Sequence, residues 1–376
     1  MNTPIYNSFD EKAARFKNNF KIDKIDELDE MINALQKDNN NLYRGINTAT
    51  YKLYSSSQVQ WMLSNAINTK DVDAYYKFIV DCIDVIRKDD TVKHYIDSIN
   101  FDNDLYVLAL MQHFGIPTPM IDFSHSILNA LFFAYDKSNM NISGTQDQLS
   151  DYISIYVISR NIDWINCSAQ YVMQNSAEQL NTRLKANNLF AAGRLDVRDV
   201  IYDFIKIPYE NFKDWSFIAV DDNPNTSVEV NIPVVKFSCK YQIINDRILS
   251  QQGMFIANNS VDTPLVELMN EKCNNKFFDC YNIHKNLLEY IKKTYLVKNG
   301  VDEKMIYCKN NSNANKLEEV MNMLKDRILR LMQELYLRFI LILTYCTYLS
   351  PPYILKLNLS FCLESVERLT WNMIIR

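Results

Sequence analysis

Six glycines in 376 residues single out the few places where a side chain would obstruct the backbone. Three of them stand beside residues able to do chemistry. Arg44 precedes Gly45 in Leu42-Tyr43-Arg44-Gly45. A guanidinium at a strand end offers a planar fork to a phosphate or carboxylate, and the glycine admits a close approach. The alternative for Arg44 is an internal ion pair, with an acid such as Asp122, that ties the segments together. His113 closes an apolar stretch ahead of Gly115, Pro117 and Pro119. An imidazole there suits general acid or base chemistry near neutral pH, with Asp122 as its candidate carboxylate partner. The competing readings are a histidine that bonds the loop or the helix end, and an Asp122 that caps the next helix. Gln251 and Gln252 precede Gly253. Carboxamides move no protons, but they bond a ribose, an amide or a base edge in two directions, or satisfy buried backbone groups beside a bulge at Gly253.

These residues need elements to hold them. Hydrophobic content of 48% and aromatic content of 12% suffice for a packed core. The spacing of Ile22, Ile25, Leu28, Ile32 and Leu35 predicts an amphipathic helix within a helical N-terminal arm, residues 1–40. A short strand at Leu42 and Tyr43 leads to helical sequence from about Gln58 to Ser98, broken near Asn68. A helix over 105–113, the proline loop and a helix over 126–135 follow, the last with Leu128, Leu131, Phe132 and Tyr135 buried. Strands are predicted over 151–159, 215–220, 228–237, 253–257 and 276–283, and a helix over 284–296 ends at Asn299-Gly300. The expected class is α+β, a helical N-terminal half with a mainly antiparallel or mixed sheet built from the middle and C-terminal half. That body spans residues 41–310, and a helical, apolar tail spans 311–376. The uncharged run between Arg338 and Lys356 is shorter than the ~20 residues of a membrane span and contains Pro351-Pro352. It reads first as a packed helix, with an out-of-place segment and a membrane segment as the alternatives.

Composition excludes several classes. Forty basic against 45 acidic residues, net charge −5, is not the footprint of a nucleic-acid binder. The eight cysteines form no CxxC, and with four histidines they make no zinc knuckle and suggest a reducing cytoplasm. The polar start carries no apolar leader. No GxGxxG, Walker A, GxSxG or HExxH sequence occurs.

Taken together, the motifs resemble the FRG domain, a family named for a Phe-Arg-Gly tripeptide and found in many bacterial and phage proteins. The tripeptide is Tyr43-Arg44-Gly45 here. The second block is Gln112-His113-Phe114-Gly115-Ile116-Pro117-Thr118, then Ile121-Asp122-Phe123-Ser124 and Ala130-Leu131-Phe132-Phe133-Ala134. The third is Asn245, Arg247, Gln251, Gln252, Gly253 and Phe255, and Tyr281-Asn282-Ile283 through Gly300 matches loosely the closing block. Pro119 stands where the family has Arg, which removes a positive charge beside the loop, and Ile127 stands where it has Pro. Read from their own chemistry, the residues of these blocks give a candidate ligand-binding set of Arg44, Gly45, Thr118, Asn245, Arg247, Gln251, Gln252 and Gly253, with His113 and Asp122 as the catalytic candidates and no metal; the resemblance itself names a domain and not a reaction.

The order Arg44, then Ser55 to Ser57, then Gln251-Gln252 is similar to the Arg, Ser, Gln/Glu order of ADP-ribosyltransferases. This suggests a nucleotide- or NAD-handling domain of a bacterial or phage defence or mobile-element system, with NAD as the cofactor to test. Arg44 would grip the diphosphate, although no glutamate follows at the catalytic place. The alternative is a non-catalytic recognition module that binds a partner protein or a nucleotide signal. Neither nucleic acid nor membrane is an expected partner.

Overall fold

The computed structural model describes residues 3–38, 40–64, 71–98, 104–138, 148–159, 209, 217–220, 227–231, 236–240, 246–307 and 317–330. Its centre is a seven-stranded sheet in the order β1-β9-β4-β2-β3-β8-β5. The strands are β1 (Asn18–Ile22), β2 (Asn41–Ile46), β3 (Met120–Ser124), β4 (Tyr152–Ser159), β5 (Phe217–Val220), β8 (Gly253–Asn258) and β9 (Phe278–His284). Only β1 and β9 run parallel; the other neighbours are antiparallel. The class is α+β with a mixed sheet, as expected. Three of the strands come from the N-terminal part, including the stretch read as a helical arm, which holds α1 (Phe9–Ala13), β1 and α2 (Ile25–Lys37). The run read as one strand over 228–237 is a separate hairpin, β6 (Ser227–Asn231) with β7 (Lys236–Lys240). Pro233 lies between them, and its missing N–H cannot serve a continuous ladder.

Helix α2 shows why periodicity works. Leu28, Met31, Ile32 and Leu35 share one buried face, as residues three and four apart must. They pack with α7 (Ile127–Tyr135) and the inner residues of β2, β4 and β9. Asp122 does not cap α7. It lies inside β3, and Ser126 is the cap, its hydroxyl accepting from Asn129 N. A helical lobe covers another part of the sheet with α3 (Ser56–Ser64), α4 (Val72–Arg87), α5 (Asp90–Ser98) and α6 (Asp104–His113). Leu105 through Met111 of α6 are all buried, as befits a helix apolar on every side. A helix over residues 317–330 adds Leu317, Met321, Leu324 and Ile328 to this core. The first part of the expected tail is therefore a packed helix, and its uncharged run lies outside the described residues. No described helix is long and apolar enough to cross a membrane.

The remaining face of the sheet is closed by the N-terminal segment and by α9 (Leu265–Cys273), which follows α8 (Asp246–Gln251) and β8. Lys12 fixes this closure. It is fully buried, and its Nζ donates to Ala49 O (2.9 Å), Ser154 Oγ (2.7 Å) and Asn282 Oδ1 (2.8 Å). Ser154 and Asn282 face each other across β4 and β9. The Tyr156, Tyr6 and Phe16 rings lie 5.1, 5.7 and 6.0 Å from the nitrogen. Burial pushes the lysine pKa down. Ser154 Oγ, however, turns its own proton to Asn282 Oδ1 at 2.9 Å and so accepts from Nζ; three acceptors then take the three protons of an ammonium, and the ring faces favour the cation too. Replacing Lys12 by Met keeps the length and removes the donors, leaving the Ala49 carbonyl without this bond and Ser154 and Asn282 with one donor fewer. We expect this change to lower stability by about 2–4 kcal/mol, read as a shifted urea midpoint at unchanged slope.

Candidate functional site

The ladder between β2 and β3 consists of one residue pair, Tyr43 with Ser124. Where the next rungs would lie, the Arg44 side chain takes their place. Its Nη1 donates to the Asp122 carbonyl at 3.0 Å and to Asp122 Oδ2 at 3.1 Å. The two side chains are 26% and 32% exposed, so the pair is shielded but not sealed. Both bonds run through one nitrogen. Arg44 Nε is buried and has no hydrogen-bond partner, although the guanidinium carries five N–H donors.

Asp122 is held from a second direction. Gln112, near the end of α6, donates from Nε2 to Asp122 Oδ2 at 2.8 Å. Its Oε1 accepts from Thr118 Oγ1 at 2.6 Å, and Thr118 Oγ1 accepts from Met120 N at 3.2 Å. Ser56, at the start of α3, secures the same loop: its Oγ accepts from Thr118 N at 3.0 Å and lies 3.2 Å from Thr118 O. One capping box shapes this helix start, because Gln58 Oε1 accepts from Ser55 N while Ser55 Oγ accepts from Gln58 N. Ser55-x-x-Gln58 is the sequence signature of such a box. Ser57 is engaged elsewhere, 2.7 Å from the buried Tyr75 hydroxyl.

The glycines serve the scaffold. A Cβ on Gly45 would stand 1.8 Å from the Ala130 carbonyl oxygen, so the close approach that Gly45 permits is that of α7. The expected approach of a ligand to Gly45 is corrected on this ground: that space holds a helix backbone. Gly115 has φ +69° and ends α6 in a Schellman turn, with Ile116 N bonded to Met111 O and Gly115 N to Gln112 O. The Lys325 ammonium, from the helix over 317–330, lies against it; a Cβ on Gly115 would be 2.9 Å from Nζ.

The structure thus joins Arg44, Asp122 and Thr118 through Gln112, which the sequence reading had not weighed as a site residue. Its signal was present, since Gln112 begins the block in which attention fell on His113. The His113 ring packs edge-on against Phe114, centroids 4.8 Å apart. No hydrogen bond links it to Asp122 among the described residues; those of the carboxylate go to Arg44 and Gln112. Gln251 fastens elements together. Its carbonyl accepts from Ser124 Oγ (2.6 Å) and Asn129 Nδ2 (2.7 Å), and its Nε2 donates to Ile306 O (3.1 Å). Gln252 is exposed and takes the left-handed conformation, φ +47°, with its carbonyl accepting from His125 N. The bulge expected at Gly253 is absent, because β3 and β8 pair without interruption from Ser124–Gly253 to Met120–Ala257. Arg247 belongs to α8, its side chain outside the described set, and Asn245 lies outside the described residues. No group of three His, Cys, Asp or Glu side chains among the described residues could hold a metal ion.

Residues 39–142 match the family model of the FRG domain. The match runs through β2 to just beyond α7 and contains the whole Arg44–Asp122–Gln112–Thr118–Ser56 network. No curated protein and no solved structure matches the chain. Because α7 leaves no volume over Gly45, Gly45→Ala should force the helix off the sheet. Thermal melting should fall by the equivalent of about 3 kcal/mol or more, a larger loss than Ala for Gly causes at a merely flexible site.

Proposed function

We propose, from the premise that this chain carries an FRG domain, that the domain is a nucleotide-handling module holding the diphosphate of an NAD-like ligand on Arg44. One observation carries this reading. Among the described residues the guanidinium is bonded through Nη1 alone and its Nε is buried, which leaves Nη2 to address an anion at a part-shielded position. A planar fork held in place recognises phosphate better than a mobile ammonium, because little orientation is lost on binding. The ligand would come along the guanidinium edge, since α7 covers Gly45. Thr118 would support the site through Gln112 and not touch the ligand.

Transfer chemistry fits less directly. Asp122 is engaged with Arg44 and Gln112, and His113 is packed on Phe114, so an ADP-ribosyl transfer would need a carboxylate from elsewhere in the chain. The same engagement of Asp122 favours the second reading, a recognition module that binds a nucleotide signal or a partner without turnover. The setting in a bacterial or phage defence or mobile-element system is part of the proposal and rests on the family resemblance alone.

Calorimetric titration of the full chain with NAD, ADP-ribose and inorganic pyrophosphate tests the proposal. Arg44→Lys keeps the charge beside Asp122 and removes the fork; affinity should drop about tenfold or more while the melting curve stays cooperative. Undiminished affinity in this variant, or no heat from any of the three ligands, would rule Arg44 out as the anchor. Chromatographic release of nicotinamide from NAD would separate a transferase from a binder.

A further inference from the structure

We infer that Gln112 is a positioning residue for the anion site, acting through Asp122 on Arg44; the inference rests on the binding role proposed for Arg44. The hydrogen bonds around Gln112 have only one consistent direction. Met120 N–H donates to Thr118 Oγ1, so that hydroxyl turns its own proton to Gln112 Oε1, 2.6 Å away. The amide oxygen is thereby fixed on the Thr118 side, and the NH₂ group must face Asp122 Oδ2, 2.8 Å away. An ionised carboxylate accepts and cannot donate, which makes the opposite amide orientation doubly unfavourable. Ser56 Oγ, 3.4 Å from Gln112 Oε1, adds a further donor on the same side, shared with Thr118 O because a hydroxyl has one proton.

The relay therefore runs from the β3 backbone through a threonine and a glutamine to the carboxylate that grips Nη1. It sets the rotamer of Asp122, and Asp122 sets the plane of the guanidinium. Nothing else described bonds this carboxylate from the side of the helical lobe. Asn would be too short to span from α6 to β3, and Leu or Met would leave both Asp122 Oδ2 and the Thr118 hydroxyl without this partner.

Gln112→Glu tests the role by pH. When protonated, the introduced carboxyl donates to Asp122 and accepts from Thr118 as the amide does. When ionised, it sets one carboxylate against another at hydrogen-bond distance, which costs far more than a lost bond. NAD is the probe, because its diphosphate bridge stays ionised throughout. The variant should bind NAD as the unaltered chain does at about pH 5 and lose about tenfold or more by about pH 8, whereas the unaltered chain shows no such fall. Gln112→Met should weaken NAD binding equally at both pH values. Equal affinity of Gln112→Glu and the unaltered chain at the higher pH overturns the inference. If Gln112→Glu does not fold there, unweakened binding by a folded Gln112→Met overturns it instead. If the unaltered chain binds neither NAD nor pyrophosphate, the binding role of Arg44 fails, and melting curves then decide the orientation role separately. A melting gap between Gln112→Glu and the unaltered chain that widens as pH rises supports it, and parallel curves refute it.

Discussion

The fold depends on an ion pair standing in for backbone. Strands β2 and β3 lie at the middle of the sheet, yet they share a single residue pair, and a side-chain donor on one strand takes the carbonyl of the other. Most central strands are joined by a ladder that any sequence can make. Here the join is written into two particular residues, Arg44 and Asp122. Such a join is specific, and it also leaves a charged group near the surface where ordinary strands would leave none. Structure and candidate chemistry share the same atoms. That is why the internal-pair reading of Arg44 and its anion-binding reading are compatible: Nη1 serves the fold, Nε is buried, and Nη2 is left for a ligand.

Three layers converge on this join. The helical lobe reaches it through the C-terminal end of α6, the proline loop through Thr118, and α3 through Ser56. Helix α7 presses on Gly45 one residue away. A buried central helix such as α6, apolar on all sides, leaves polar residues only near its ends, and its Schellman turn at Gly115 fixes where that end points. The positive φ of Gly115 and the bare Cα of Gly45 therefore serve geometry, and the chemistry falls to their neighbours.

Much of this was legible in the chain. The stripe of α2 and the apolar run of β4 are local patterns, and each appears where its spacing puts it; the capping box at Ser55 and Gln58 is as local, and only the structure brought it out. The short strands β1 and β3 were not legible, because five residues without clean alternation look like loop, and Asp122 with Ser124 looked like a helix start. Site residues split the same way. Arg44 and Asp122 stood out by type and position. Gln112 did not, because the value of a carboxamide depends on what lies on its two sides, and those partners come from β3 and the loop before it. His113, the conspicuous titratable residue, proved to be packed against its neighbour, and the left-handed backbone belongs to Gln252 and not to the glycine after it.

Lys12 carries a consequence for how the molecule comes into being. Its third acceptor, Asn282, belongs to a strand made hundreds of residues later, and the helix beside Gly115 is made later still. Until β9 arrives, the ammonium lacks this third acceptor and the chain just after α1 lacks the Phe278 carbonyl to which Lys17 N is bonded. The stretch that carries the family signature is thus completed by segments far downstream of it. Contacts of such long sequence separation slow folding, so on the ribosome the signature region would wait, incomplete, for the last strand of its own sheet.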